Sequence, residues 1–463
     1  MTDIETRRNP LAPAQSRRPS VLAFMRVSVP RAVRLVAIFT VGTLNVLMLP
    51  MAAQARLTIE VTGGVEAAQP IAIVPFGVSD GLIPKEDVAG VIAADLTRSG
   101  KFRPMPTRDM LAMPSTPAEV DLRDWSLLNM NNLVIGRVEQ EGEGYRVSYV
   151  LYDVFRGNQI GSASLSTTAG GLRLTAHRIA DQIYEKLTGA PGVAATRIAY
   201  ITSNGRGENQ TVTLRVADAD GYNPQTIVSS NDPLMSPAWS PDGRRLAYVS
   251  FENRRAAIYV QDLASGRRDL VASFPGINGS PAFSPDGQRL AMTLSKDGNA
   301  NIYTLDLISR ELTQLTDHFA IDTEPAWSPD GSQILFTSDR GGSPQIYRMA
   351  ASGGAAERIS AEGDYNARAS YAPDGKSITM VSRVNGQFRI AVLDLQRGYT
   401  RVLSNGSLDE SPSFAPNGSM VIYATIAGGR GVLAAAAVEG GGNQRLSQDA
   451  GEVREPAWSP MMK

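Results

Sequence analysis

Few residues of this chain could carry out catalysis. It has 463 residues, no Cys and only two His, which are His177 and His318. The absence of Cys excludes thiol catalysis, and a histidine-based metal site would need both histidines to meet. His177 falls in a helical pattern and His318 in a loop, so we expect each to have an ordinary surface or packing role. No Gly-x-Ser-x-Gly elbow or Walker loop is present either, and the sequence therefore predicts no catalytic, cofactor-binding or metal-binding residues.

Four regularly spaced carboxylates are the other candidate metal ligands. Asp242, Asp286, Asp330 and Asp374 each follow a Pro and precede a Gly. Each occupies the same place in one copy of a repeated unit, so the four side chains should be spread around a rim and not converge on one ion. Asp in a Pro-Asp-Gly sequence stabilises a turn by local hydrogen bonds. We therefore interpret these residues as turn formers.

The repeated unit defines the fold. Its first copy, residues 236–243, reads Ser-Pro-Ala-Trp-Ser-Pro-Asp-Gly, and related sequences occupy 280–287, 324–331, 370–375, 411–418 and 455–460. The copies recur about every 44 residues, a period typical of four-stranded propeller blades. β-branched and aromatic residues follow each turn, as expected of buried strands. The aromatic residues of the motif are predicted to pack between blades: Trp239, Phe283, Trp327, Phe414 and Trp458.

The sixth repeat contains only its first strand before the sequence ends at Lys463. Three unassigned β segments precede the first repeat, at 197–202, 211–216 and 225–228. They would complete the sixth blade if the end of the chain paired beside the strand near residue 200, which would also remove an exposed sheet edge. The sequence therefore predicts a six-bladed β-propeller over residues 197–463.

The residues before the propeller form two further regions. Residues 1–55 contain a basic stretch, the apolar run 35–49 and Ala53-Gln54-Ala55, and are predicted to be an export signal peptide used in general secretion. Either Met1 or Met25 could start such a leader. The apolar run is shorter than the about 20 residues of a membrane span, so we expect a mature periplasmic protein that does not span the membrane.

Residues 56–190 are predicted to be a separate α/β domain, joined to the propeller by a linker at 191–196. Helical patterns cover 87–99, 117–128 and 172–187, and strands are expected at 70–76, 133–138, 145–153 and 161–168. The fold class is thus mainly β, with a six-bladed propeller preceded by a smaller α/β domain. The net charge is −1, and without a basic excess we expect no nucleic-acid partner.

The loops before each first strand differ between copies and are expected to surround one mouth of the propeller channel. They are rich in acidic and hydrogen-bonding residues, and a basic fringe is expected around them: Arg206, Arg254, Arg255, Lys296, Arg340, Arg383 and Arg430. One reading is that these loops are simply solvated. The other, which we favour, is a surface that docks a protein or peptide.

The ordered set of motifs resembles the TolB family, periplasmic propeller proteins of the Tol-Pal cell-envelope system. The resemblance rests on Pro70–Phe76, Gly144–Val147, Leu234–Gly243, Phe274–Gly287, Ala415–Tyr423 and the final Pro-Ala-Trp-Ser-Pro460. It covers nearly all of the chain after the leader. It implies a non-enzymatic scaffold that serves outer-membrane integrity and envelope constriction in cell division.

The resemblance also implies two partners, the lipoprotein Pal and the inner-membrane-anchored TolA, and we expect the protein itself to be a monomer. The implied Pal-binding residues are Ile277, Ser280, Thr323, Glu324, Asp409 and Glu410. Ile277 stands where His is expected in relatives, so a polar contact there is in question. The implied TolA-binding segment is extended, at residues 56–68, with Arg56, Leu57, Thr58, Ile59, Glu60 and Val61 as its contact residues. Its alternating apolar residues suit strand addition to a partner's sheet.

Two other functions remain open at this point. Propellers of this repeat type also gate prolyl-oligopeptidase-like hydrolases, although no nucleophile elbow is present here. A propeller that binds a small molecule or Ca²⁺ in its channel is also compatible with the sequence and with a scaffolding role.

Overall fold

The computed structural model describes residues 57–62, 68–79, 81–205, 207–440, 443–448 and 451–462. The predicted export signal, residues 1–55, lies outside the described residues. The described residues belong to one compact unit. Among the described helices, none is long and apolar enough to cross a membrane.

The amino-terminal domain is a mixed sheet covered by helices. Its α-helices, α1, α2 and α3, span Val88–Arg98, Leu122–Leu127 and Leu172–Thr188. Short 3-10 turns lie at Thr107–Asp109, Pro117–Glu119 and Ala169–Gly171. The strands are Gln69–Ile73, Gly77–Val78, Phe102–Pro104, Asn132–Glu141, Gly144–Asp153 and Asn158–Thr167. The first three of these strands pair in parallel with their neighbours, and the last three form antiparallel hairpins.

The two faces of this sheet bury different helices. Ile71 and Ile73 lie in one cluster with the apolar residues of α1 and α3, whereas Ala72 lies in another with Trp125 of α2. This follows from the alternation of side chains along a strand. The last helix, α3, packs an apolar face against the sheet: Leu172, Ala176, Ile179 and Ile183 are fully buried and Leu187 is partly buried. The helix predicted over 117–128 was wrong in extent: a 3-10 turn and the six-residue α2 replace it, with Asp121 capping α2.

The propeller has six antiparallel blades of four repeat strands each, as predicted, and blade V carries a fifth strand, Leu57–Thr62. Blade I consists of Leu234–Trp239, Arg245–Ser250, Ala257–Asp262 and Arg268–Ala272. Blade II consists of Asn278–Phe283, Arg289–Leu294, Asn301–Asp306 and Leu312–Gln314. Blade III consists of Asp322–Trp327, Gln333–Ser338, Gln345–Ala350 and Glu357–Arg358. Blade IV consists of Asn366–Tyr371, Ser377–Val384, Gln387–Asp394 and Tyr399–Val402. The repeat strands of blade V are Glu410–Phe414, Met420–Ala427, Arg430–Ala437 and Asn443–Gln448. Blade VI consists of Glu452–Trp458, Arg197–Asn204, Thr211–Asp218 and Gln225–Ser230, with a 3-10 turn at Gly207–Asn209.

Blade VI closes the ring with both ends of the propeller sequence. Its innermost strand, Glu452–Trp458, pairs antiparallel with Arg197–Asn204. Ser459 N also donates a hydrogen bond of 2.8 Å to Arg197 O. The predicted closure by the end of the chain is therefore confirmed.

The repeated turns and aromatic residues have the predicted structural roles. In blade I, Asp242 Oδ1 accepts hydrogen bonds from Ser240 Oγ at 2.5 Å and from the main-chain N of Arg244 at 3.0 Å, while Gly243 has the positive φ of 67° that closes the turn. Trp239 Nε1 donates to Ala457 O of the preceding blade at 3.0 Å. Local carboxylate bonds and an inter-blade indole bond thus explain the motif without a ligand.

Candidate docking surface at the channel mouth

The α/β domain covers the side of the propeller opposite the predicted docking loops. Asn417, in the Pro-Asn-Gly turn of blade V, donates a hydrogen bond of 2.8 Å to Pro191 O. Lys101 and Glu439 form an ion pair of 2.7 Å on the same side. Because hairpin turns alternate between the two sides of a blade, the loops before each first strand emerge on the other side. Both contacts therefore lie on the side of the propeller away from this channel mouth.

An unusual backbone conformation surrounds this mouth. One residue in each first strand has a positive φ of between 47° and 57° although it is not Gly: Ser236, Ser280, Glu324, Arg368, Ser411 and Glu455. A register shift, or β-bulge, occurs at this residue in every blade. Positive φ is disfavoured for residues with a Cβ, and its repetition in six blades shows that the bulge is part of the blade design. We call these six residues the channel ring.

Five of the six channel-ring residues, all except Glu455, line a cavity of about 210 Å³. The charged members of the channel ring form one network: Arg368 lies 3.3 Å from Glu455 and 3.7 Å from Glu324, measured between guanidinium nitrogens and carboxylate oxygens. Arg368 also donates a hydrogen bond of 2.8 Å to Ser411 Oγ. Burial alone would lower the pKa of Arg368, but Glu455, Glu324 and Glu410 raise it. The cation is thus held by the acidic residues of the channel.

Glu324 has hydrogen bonds beyond this ion pair. Its Oε2 accepts from Thr337 Oγ1 at 2.8 Å and from the main-chain N of Arg368 at 2.9 Å. Across the closure of the ring, Glu455 Oε2 accepts from the main-chain N of Ser236 at 2.5 Å. These bonds orient the carboxylates of the mouth before any partner arrives.

In four of the blades, the residue two positions before the channel-ring residue in the sequence has a buried polar side chain. Asn278, Asp322, Asn366 and Asp409 are each at most 1% exposed. Asp322 pairs with Arg340 at 2.8 Å. Asp409 accepts hydrogen bonds from Ser404 Oγ and Thr425 Oγ1, both at 2.5 Å. These residues therefore hold the preceding loops in place.

Asp409 differs from the other predicted site residues in its burial. Its side chain is 0% exposed and lies beneath the docking surface, where it holds the loop through Gly406 N. Glu410, the next residue, is half-buried at the mouth. Ser280 and Glu324 line the cavity, Thr323 accepts a hydrogen bond of 3.3 Å from Thr293 Oγ1, and Ile277 is 46% exposed. The structure thus brings five of the six predicted residues to one accessible face.

Three of the seven residues of the predicted basic fringe form ion pairs. Arg340, Arg383 and Lys296 each form an ion pair, with Asp322, Asp364 and Asp297 respectively. Arg206 lies outside the described residues. A fringe of free positive charge is therefore the wrong description for these three residues.

Sequence reasoning named Ile277 but missed two further apolar residues that the same loops expose, Ile321 and Leu408. Ile277, Ile321 and Leu408 each lie immediately before one of the buried polar residues of blades II, III and V, and they are 46%, 37% and 41% exposed. Their shared position in the repeat could have identified them, since the buried residue after each one anchors its loop. The mouth therefore combines oriented carboxylates with exposed apolar side chains.

The predicted TolA-binding segment forms a fifth strand on blade V. Leu57–Thr62 pairs antiparallel with Asn443–Gln448 over six residue pairs. Arg56, and residues 63–67 of the predicted extended segment, lie outside the described residues. Within the described sheet, Leu57–Thr62 is an edge strand, so one side of its backbone faces away from the blade.

A buried polar cluster between the two domains was also missed. His177 Nδ1 of α3 lies 2.7 Å from Asp95 Oδ2 of α1, and His177 Nε2 lies 3.7 Å from Asp220 Oδ2 of blade VI. All three residues are at most 6% exposed. His177 has a packing role, as expected, but its partners are charged and come from two domains. Their sequence positions gave no signal of this proximity.

The three side chains could in principle hold a metal ion, but their charged neighbours argue against one. Arg98 contacts Asp95, and Arg173 contacts Asp220. Burial alone would raise the pKa of Asp220, yet Arg98, His177 and Arg173 lower it. Burial lowers the pKa of His177 and outweighs the attraction of Asp220. The guanidinium groups already balance the negative charge of the carboxylates. We therefore interpret the cluster as an ion-pair network that connects the two domains.

Comparison with known proteins agrees with this architecture. The family model of the TolB beta propeller domain matches residues 184–462, and that of the TolB amino-terminal domain matches residues 57–160. The chain belongs to the TolB family. The resemblance found in the sequence is thereby confirmed.

Curated relatives of this TolB-family chain are similar over nearly its whole length. The Tol-Pal system protein TolB of Methylobacillus flagellatus is 62% identical over 414 residues, covering 89% of this chain and 94% of that protein. The protein of the same name from Nitrosococcus oceani is 62% identical over 409 residues, covering 88% and 94%. The crystal structure of TolB from Acinetobacter baumannii is 41% identical, with a TM-score of 0.82, and covers 88% of this chain and 100% of that one.

Membership of the TolB family decides the broad questions of function. The chain is a non-enzymatic component of the Tol-Pal system, and the alternative of a propeller that gates a hydrolase is not supported. Family membership implies a periplasmic location and partners from the Tol-Pal system.

Proposed function

We propose that this TolB-family protein is a periplasmic scaffold that joins two Tol-Pal partners. The lipoprotein Pal docks at the channel mouth, and TolA binds the amino-terminal segment that begins at Arg56. Through these contacts the protein maintains outer-membrane integrity and supports envelope constriction in cell division. We also propose export by general secretion, with residues 1–55 as the leader and 56–190 and 197–463 as the two working domains.

The observation that carries the Pal proposal is the preorganisation of the channel mouth. Glu324 is oriented by Thr337 and by the main chain of Arg368, and the loop before Glu410 is anchored by the buried Asp409. A partner that binds such a surface loses little entropy to loop ordering, which favours affinity. The proposed contact set is Ile277, Ser280, Thr323, Glu324 and Glu410, with Asp409 as support.

Ile277 has a clear place in this set. It lies at the same repeat position as the exposed Ile321 and Leu408, so an apolar side chain continues a pattern already present at the mouth. We therefore propose an apolar contact from Ile277 to Pal in place of the polar contact that His would make.

The TolA proposal rests on the backbone of the amino-terminal segment. Leu57–Thr62 pairs with an edge of blade V through its main chain, and strand addition to a partner's sheet uses the same groups. If TolA takes the side of the strand that faces blade V, the two pairings are mutually exclusive. TolA then competes with blade V for this segment.

Charge reversal at the mouth tests the Pal proposal. Glu410→Lys together with Glu324→Gln should weaken binding of soluble Pal by about 2 to 4 kcal/mol in calorimetry, with the fold intact by circular dichroism. The matched control is Glu311→Lys, because Glu311 is exposed in a loop on the opposite side of blade II. Equal losses in the two proteins would reject the channel mouth as the Pal surface.

A further inference from the structure

A fully presented aromatic side chain lies on the loop that leads into blade III. Phe319 is 87% exposed, more than any other Phe whose side chain the structure describes. The ring of His318 packs against it, with the ring centroids 4.2 Å apart. The loop precedes Asp322–Trp327 and therefore emerges on the same side as the channel mouth.

The backbone around Phe319 is held by neighbouring residues. Asn299 Nδ2 donates to the carbonyl oxygens of His318 and Ala320, at 2.7 Å and 2.6 Å. The main-chain N of Ala320 donates to His318 Nδ1 at 3.0 Å. These bonds fix the residue on each side of Phe319, while its ring remains 87% exposed even with His318 packed against it.

The next residues of the loop are equally well anchored. The main-chain N of Ile321 donates to Asp339 Oδ1 at 2.8 Å, and that of Asp322 donates to Ala300 O at 2.9 Å. Phe319 is thus a large apolar side chain held out by a rigid loop. Burial of this ring against a partner would remove a large apolar surface from water, and aromatic residues that are already held in place dominate the binding energy of many interfaces.

Phe319 is continuous with the docking surface proposed above. Ile321 links it along the chain to Thr323 and Glu324, and Ile277 of blade II is the exposed apolar residue of the adjacent loop. The exposed Asp317 on the other side of Phe319 adds a negative charge. The complementary partner surface is therefore an apolar recess with basic or hydrogen-bond-donating groups at its edge.

We propose that Phe319 is the hydrophobic anchor of the channel-mouth interface and inserts into an apolar recess of Pal. The inference rests on the proposed function. It assigns the largest contribution to the binding free energy of that interface to Phe319, a residue outside the channel ring. Ile277 and Ile321 flank the anchor and exclude water from its surroundings, as residues around interface hot spots do.

Calorimetry with soluble Pal, lacking its lipid, tests this assignment. Phe319→Ala should weaken binding at least tenfold, Phe319→Leu should recover part of the loss, and neither should alter thermal unfolding, because the ring makes few contacts in the free protein. The control is Ile308→Ala: Ile308 is 84% exposed on the opposite side of blade II, so its removal should leave affinity unchanged.

The possible results separate this inference from the function on which it rests. If Phe319→Ala binds Pal within twofold of the unaltered protein while the Glu324 and Glu410 variant binds weakly, Pal docks at the mouth without this anchor. If the unaltered protein does not bind Pal at all, both proposals are wrong. Sedimentation of the protein alone completes the test. If the protein self-associates and Phe319→Ala abolishes this self-association, Phe319 binds a second copy of the chain and the proposed contact with Pal is wrong.

Discussion

The indole Nε1 of Trp458 donates a hydrogen bond of 2.8 Å to Thr196 Oγ1. These residues flank the two ends of the propeller sequence, and their contact lies beside the strand pairing that completes blade VI. The side chain of Val453, at the other end of the same inner strand, is 1% exposed. The closure therefore combines main-chain pairing with buried side chains.

Removing this strand should open the ring. Deletion of residues 454–463 would expose the edge of Arg197–Asn204 and lower the free energy of unfolding by several kcal/mol, because buried apolar contacts and the indole hydrogen bond are lost. Thermal unfolding measures the change. The control ends at Pro460 and keeps the whole strand, so it should unfold near the temperature of the unaltered protein. An unchanged melting temperature for the longer deletion would contradict the closure.

Asp409 and Glu410 should respond in opposite ways to substitution. Asp409→Ala leaves the hydroxyls of Ser404 and Thr425 without their buried acceptor, and we expect a loss of stability of about 1 to 3 kcal/mol. Glu410→Ala should leave stability unchanged and weaken Pal binding. Urea denaturation measures the stability of the two variants, and calorimetry measures their affinity for Pal. A stable Asp409→Ala protein with weak Pal binding would restore Asp409 to the contact set.

Arg368 should stabilise the propeller by holding the channel carboxylates together. Arg368→Met leaves Glu324 and Glu455 facing each other without the cation, so unfolding in urea should become easier by about 1 to 3 kcal/mol, a range that allows for partial solvent screening. Adding Glu455→Gln to this variant removes one of the unpaired charges and should recover part of the loss. If the double variant is no more stable than Arg368→Met, charge pairing is not the reason for the effect.

His177 should make stability depend on pH. Three elements place charged groups around it: Asp95 and Arg98 from α1, Arg173 and Asp181 from α3, and Asp218 and Asp220 from blade VI. Burial lowers the pKa of His177 in the folded protein. The unfolded chain therefore takes up the proton first as the pH falls, and stability decreases below about pH 6.5 until the folded pKa is reached.

The variant His177→Gln should remove this component and flatten the stability profile between about pH 7 and pH 5. His318→Gln removes the other histidine of the chain and should keep the slope. Denaturant unfolding at a series of pH values compares the three proteins. If His177→Gln retains the full slope, the buried imidazole is not its source.

The amino-terminal segment should be separable from the Pal surface. Deletion of residues 56–64 should abolish TolA binding, because the segment supplies both the main-chain groups and the alternating side chains of an added strand. Pal binding should survive, since the mouth lies on the propeller loops. Loss of Pal binding in the truncated protein would show that the two sites are not separate.

Coupling between the two partners follows from the same strand. If Pal favours the state in which Leu57–Thr62 pairs with blade V, saturating Pal must weaken TolA binding, and TolA must weaken Pal binding by the same factor. Calorimetry of TolA binding with and without Pal measures this factor. Identical affinities would indicate two independent sites on a passive scaffold.

The sequence determined the number of blades, the role of the turns and the closure of the ring. Each of these depends on a local signal that six copies repeat, so that an error in one copy is corrected by the others. The helices of the α/β domain followed from periodicity, except at 117–128, where α2 begins only after a 3-10 turn and a new cap at Asp121. The sequence by itself also determined the family, because the ordered motifs extend along nearly the whole chain after the leader.

Only the tertiary structure decided which residues of the mouth are accessible. Asp409 and Glu410 are adjacent acidic residues, and their side chains point to opposite sides as in any extended segment. Only the packing of the loop decides that Asp409 is the buried one and that Glu410 faces the mouth. Likewise, Asp95 and His177 lie 82 residues apart in sequence and meet with Asp220 where the two domains pack. Local patterns specify strands and turns, whereas burial and long-range ion pairs depend on how complete elements pack against one another.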